Sequence, residues 1–185
     1  MKSELFANEL ALIKNDTLRT ICREYLDNAV PSYFWEIGAS SSGKYHPCFS
    51  QGDGGLVRHT KAVVMFAEEL LRMSSYMYMK DIYKDYVIFA CIVHDTCKYG
   101  IVEYDKTQYN RHPQNAAANV AEFAEGMGYS VSEFLLNAIK GHMGQWEMEK
   151  EARPFPPIAR CVHMADYMAS RSFIDIPSLH EDVKA

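Results

Sequence analysis

Residues 81–100 read DIYKDYVIFACIVHDTCKYG, and the fold follows from how this stretch is understood. Ile82, Tyr86, Phe89, Ala90 and Val93 recur at helical spacing and mark one face of a helix over Asp81–Lys98. Apolar residues spread well beyond that face, and a helix that is apolar nearly all round belongs at the centre of a bundle. His94 and Asp95 stand in its last turns. A carboxylate leaving a core carries a desolvation cost unless a cation meets it, and here the partner is either a metal ion or Lys98.

Working outward, Glu4 to Asn28 reads as a helix whose buried face is Leu18, Ile21, Cys22, Tyr25 and Leu26, with Pro31 helping to end it. The Gly/Ser-rich stretch 38–55, GASSSGKYHPCFSQGDGG, is a loop. Its amides, with Lys44 and His46, offer contacts to an anionic ligand; a plain connector is the competing reading. His59 stands at the entrance of the helix HTKAVVMFAEELLRM. Residues 99–112 form a polar loop ending in His112, and Pro113 opens an Ala-rich helix that Gly126 and Gly128 close. Ser130, Ser132 and Glu133 start another helix, which ends near Lys140-Gly141 and leaves His142 just beyond it. Pro156-Pro157 introduces the last one, IARCVHMADYMASR, with Asp166 in its interior. Almost nothing alternates with period two over a strand's length. The expectation is an all-α, single-domain helical bundle: residues 1–37 an N-terminal scaffold, 38–175 the metal-binding core, and 176–185 a tail with no readable pattern.

Composition narrows the function. The chain of 185 residues is 48% apolar and 23% charged, a globular balance with room for a real core. A net charge of -5 argues against a general basic coat for long nucleic acid, although a small phosphate ligand needs only a few cations. Five scattered cysteines without a CxxC pair form neither a disulfide framework nor a zinc ribbon. With no signal-peptide pattern and no apolar run of ~20 residues, the expectation is a cytoplasmic protein with no membrane contact.

His59, His94, His112 and His142 each fall at an expected helix boundary, where separate helices can bring side chains together. With Asp95 and Asp166 they make six N/O ligands, enough for one metal ion or a close pair. A carboxylate can bridge two ions and an imidazole cannot, so Asp95 is the natural bridge. Asp166 has a competing reading as half of a buried Asp–Arg pair. Trp146 and one of Tyr99, Tyr104 or Tyr109 are candidates for stacking on a base. Lys106, Arg111 and Lys140 lie close enough in sequence to attract phosphates, and His163 is a candidate partner for a ligand.

The order His59, His94-Asp95, Asp166 resembles the H…HD…D signature of the HD-domain phosphohydrolases. GGLVRHT, HDTCKYG and MADYMASR look like that family's local motifs. Within the family, the loop ahead of GGL, the GHMGQWE segment and the proline-rich run before Asp166 are most similar to the HD domain of YhaM-type 3′–5′ exoribonucleases, over roughly residues 40–171. The resemblance implies an all-helical HD-type fold around a central metal site. It implies that His59, His94, Asp95 and Asp166 hold a first ion, that His112 and His142 hold a second, and that Lys98 meets the substrate phosphate. Met143 stands where relatives often carry a second histidine, which thins the second site. The nucleic-acid-binding OB domain of YhaM-type enzymes has no counterpart in this sequence.

The expected chemistry is hydrolysis of a phosphomonoester or phosphodiester of a nucleotide or short oligonucleotide. Asp95 and Lys98 are the catalytic pair, and Lys44, His46, Lys98, Arg111 and Trp146 contact the substrate. Mixed imidazole and carboxylate ligands suit Mn, Fe, Co or Ni, with Mg or Zn possible. Long RNA is not an expected substrate of this domain alone; an oligomer would change the available surface. The rivals are a non-catalytic nucleotide-sensing module and a di-iron oxygenase on the same scaffold.

Overall fold

A computed structural model describes residues 1–40, 46–146 and 157–180. Among these it contains seven α-helices and no strand: α1 (Ala7–Ala11), α2 (Asp16–Asn28), α3 (Gly55–Arg72), α4 (Asp81–Val93), α5 (His112–Gly126), α6 (Glu133–Lys140) and α7 (Pro157–Ala169). The all-α architecture read from the sequence is the one observed. One continuous apolar core runs from Phe6 to Leu179. Helix α4 is its axis: Val87 through Val93 are all buried, and α3, α6 and α7 pack around it.

Several boundaries move, each for a physical reason. The expected helix Glu4–Asn28 is broken at residues 12–15. There the Asp85 carboxylate accepts hydrogen bonds from the amides of Lys14 and Asn15, both at 2.9 Å, while the Asn15 side chain caps α2 through the Leu18 amide. A buried acid on α4 thus starts a new helix from outside it. Helix α3 begins at Gly55, so His59 lies inside the helix rather than at its entrance. Gly54 takes a left-handed conformation at φ 66°, and Gly55 sits so close to the Ser50 carbonyl that a Cβ would collide with it. Only glycine meets both demands.

Helix α4 stops at Val93, five residues before the expected end. The chain then tightens into turns, with the Thr96 amide bonded to Val93 O and the Lys98 amide to Asp95 O, both at 3.1 Å. His94 and Asp95 therefore leave the helix just where it reaches the middle of the bundle. The stretch before α3 is also more ordered than a plain loop: Cys48–Ser50 forms a 3₁₀ turn with Phe49 buried. At the other end, Pro177–His180 makes a 3₁₀ turn that buries Leu179, so this part of the tail is docked.

Candidate metal centre

The six candidate ligands come from five places in the fold and meet at one point. His59 projects from α3, His94 and Asp95 from the end of α4, His112 from the first position of α5, His142 from the turn after α6, and Asp166 from α7. Their ligand atoms form two groups, His59/His94/Asp166 and Asp95/His112/His142, each with its atoms within 4.8 Å of one another. Asp95 faces both. Its Oδ2 lies 4.0 Å from His59 Nε2 and 3.7 Å from His94 Nε2. Its Oδ1 lies 3.2 Å from His112 Nε2 and 3.8 Å from His142 Nε2. Asp166 Oδ1 completes the first group, 3.1 Å from His59 Nε2 and 3.8 Å from His94 Nε2. Among the described residues Asp166 meets His59 and no arginine.

The local hydrogen bonds orient the rings. His94 Nδ1 pairs with Cys91 O at 2.8 Å, His142 Nδ1 with Ile139 O at 2.7 Å, and His112 Nδ1 with Tyr109 O. In each case the carbonyl three residues back accepts a hydrogen bond from Nδ1–H, so a neutral ring presents a bare lone pair at Nε2. The consequence at the centre is a conflict. His112 Nε2 and His142 Nε2 stand 2.9 Å apart, so that in neutral rings two lone pairs face each other, and His94 Nε2 is buried with no hydrogen-bond partner. A cation placed among these nitrogens and the carboxylates resolves it, so the donor set fits a bound divalent ion.

The electrostatics point the same way. Burial pushes the His142 imidazole down to about 3, helped by His112 and His94, and lowers His94 against the pull of Asp95 and Asp166. Both rings are thus neutral and able to ligate over the ordinary pH range. Burial would raise the Asp95 carboxyl, but the Lys98 ammonium, His94 and His112 outweigh it and hold it well below the usual carboxylate range. Burial likewise opposes ionisation of Asp166, and the His59 hydrogen bond with the nearby imidazoles overrides it, so this carboxyl is lowered too. Lys98 Nζ sits 2.6 Å from Asp95 Oδ2; burial alone would lower its pKa, and Asp95 more than restores it. Lys98 is therefore a partner of Asp95 as well as a candidate phosphate contact.

The centre opens into a cavity of about 390 Å³. His46, Lys98 and Trp146, three of the expected substrate contacts, line it, and so does Tyr109 among the candidate tyrosines. Burial lowers the His46 imidazole to about 4, with His59 and Lys98 adding to the effect, which leaves it a neutral hydrogen-bonding group. Arg111 is different: it stands exposed at the start of α5 and does not line the cavity. Lys44 lies outside the described residues. The sequence reading passed over Asn110, Tyr167, Ser170 and Arg171, which also line the wall. Tyr167 stacks on Trp146 at 5.6 Å and 8°, and Arg171 lies 4.3 Å from the Tyr167 ring. The MADYMASR run carried these residues in plain view, but helical periodicity does not say that the chain just past Ala169 turns toward the site. His163 Nδ1 donates to the His142 carbonyl, 2.8 Å away, and its ring packs where a Cβ on Gly144 (φ 61°) would stand.

A helical bundle whose central helix ends in a His-Asp pair, ringed by three further histidines and a second aspartate, defines a candidate metal-dependent hydrolase. The HD domain family matches residues 56–171, and the chain belongs to that family, whose members are in general metal-dependent phosphohydrolases. No curated protein and no solved structure matches the chain. No helix among the described residues is long and apolar enough to cross a membrane.

Proposed function

We propose that the protein is a metal-dependent phosphohydrolase that cleaves a phosphomonoester or phosphodiester of a nucleotide or short oligonucleotide. The observation that carries this reading is Asp95, whose two carboxylate oxygens face two separate histidine pairs at the floor of one cavity. His59, His94, Asp95 and Asp166 would hold one divalent ion, and Asp95, His112 and His142 a second. Bound there, such ions supply Lewis acidity and bring the pKa of water toward ~7. The protein's own part is placement and charge. Asp95 anchors the Lys98 ammonium at the cavity floor, where it can offset charge on phosphoryl oxygens. His46 offers a neutral hydrogen bond from the wall, and the Trp146–Tyr167 pair offers an aromatic face to a base. The motif-level similarity to YhaM-type exoribonucleases supports a nucleotide or oligonucleotide substrate.

The test is turnover by manganese-loaded full-length protein on p-nitrophenyl phosphate, bis-p-nitrophenyl phosphate and short oligonucleotides. Wild type is expected to hydrolyse at least one of them, and Asp95→Ala to fall to background. Full activity in that variant overturns the proposal. A second reading, an iron-dependent oxygenase, draws on the same groups, because each combines two imidazoles with a carboxylate. Oxygen consumption by iron-loaded protein without phosphoester hydrolysis would favour it.

A further inference from the structure

Among the described residues two cations line the cavity, and one of the two has a carboxylate partner. The Lys98 ammonium is paired with Asp95 at 2.6 Å. Arg171 has no carboxylate in ion-pair range among the described residues, yet its side chain is fixed at three points. Its Nε donates to Tyr167 O at 3.1 Å, its Nη2 donates to Ser170 Oγ at 2.8 Å, and its guanidinium lies over the Tyr167 ring. Capping the end of α7 explains the bond to Tyr167 O, since cations suit helix C-termini. It does not require the side chain to lie along the cavity wall, half-buried, with Nη1 given no partner among the described residues.

We propose that Arg171 binds a second anionic group of the substrate, so that the preferred ligand is a phosphoester carrying another phosphate or carboxylate. The inference rests on the phosphohydrolase reading for the position of the scissile group, which sits at the histidine and aspartate centre. Asp166 sits inside α7 whereas Arg171 follows its end, and both line the one cavity, so the two anionic groups occupy separate subsites. A pre-oriented guanidinium fork suits a phosphate or carboxylate better than a flexible ammonium does. At about 390 Å³ the cavity lies near the small end of ligand pockets, which suits one compact ligand bearing both groups.

Calorimetry on the metal-stripped full chain tests this with adenosine 5′-monophosphate and adenosine 3′,5′-bisphosphate as probes. The bisphosphate is expected to bind at least about tenfold more tightly. Arg171→Gln should remove most of that preference while leaving the monophosphate Kd within about threefold, and Arg171→Lys should keep part of it. A purely structural role would weaken both ligands alike and keep their ratio, which overturns the proposal. Equal affinities in wild type, or no binding of either probe, overturn it too. No turnover enters the measurement. A bisphosphate preference in a protein that hydrolyses nothing when metal-loaded would defeat only the phosphohydrolase reading; hydrolysis without the preference would defeat only this one.

Discussion

The two histidine groups that share Asp95 are built in different ways. His59 and Asp166 sit inside α3 and α7, and His94 ends α4; these three helices pack directly on one another. The first group is thus positioned by the core itself. His112 and His142 stand at helix edges, one opening α5 and the other in the turn after α6. Their aim depends on Nδ1 bonds of the kind His94 also makes, without a packed helix around them, and for His142 on His163 reaching across from α7. A site held by helix packing tolerates local change, whereas one held by turns is exposed to it.

The largest separation between the groups should come from paired truncations. His94→Ala is expected to remove the first ion and abolish hydrolysis. His142→Ala should leave a single ion per chain and lower activity by at least the about 10–100-fold that losing a partner of a metal ligand typically costs. Metal content and kcat, measured side by side, check both. If His142→Ala behaves like His94→Ala, the two groups are one site.

Gly144→Ala should have a smaller effect that falls on the second group alone. The new Cβ would meet the His163 ring and require a left-handed backbone conformation, displacing the bond from His163 to the His142 carbonyl. The expected result is a lower Tm and about tenfold weaker binding of the second ion, with the first unchanged in a titration. Equal weakening of both ions would erase the distinction drawn here.

Acid sensitivity gives the smallest effect. His142 is held neutral when folded, near 3, against an ordinary value of about 6.5 when unfolded. Between those values the unfolded chain binds a proton that the folded chain refuses, so stability of the metal-free protein should decline as pH falls through that window. Asp95 and Asp166, lowered in the fold, add a loss at still lower pH as they are forced to protonate. His142→Ala should flatten the upper part of the profile in urea unfolding followed from pH 7 to 4.

The contrast between the groups also explains what the sequence disclosed. The apolar run ahead of His94-Asp95 announced both a central helix and a candidate ligand pair at its end; expected helix boundaries brought out His112, His142 and, although it lies inside α3, His59, while Asp166 stood out as a carboxylate within an apolar helix. These features are local. What escaped depends on residues far apart in sequence: Asp85 breaks the N-terminal helix by bonding Lys14 and Asn15, and His163, a candidate partner from the sequence, meets His142 in particular. Arg111 and Arg171 make the same point in opposite directions. Arg111 is adjacent in sequence to His112 but faces solvent, while Arg171 follows the end of α7 and lies on the cavity wall. Charge beside a motif does not give direction; the turn that follows a helix does.

The central claim is that Asp95 joins two metal sites. Elemental analysis of metal bound per chain, in wild type and in Asp95→Asn after loading with manganese, tests it most directly. Asparagine keeps the shape and removes the charge that both groups share. Two ions per chain in wild type, falling together in the variant, is the expected result. A variant that keeps a full complement at either site contradicts the claim.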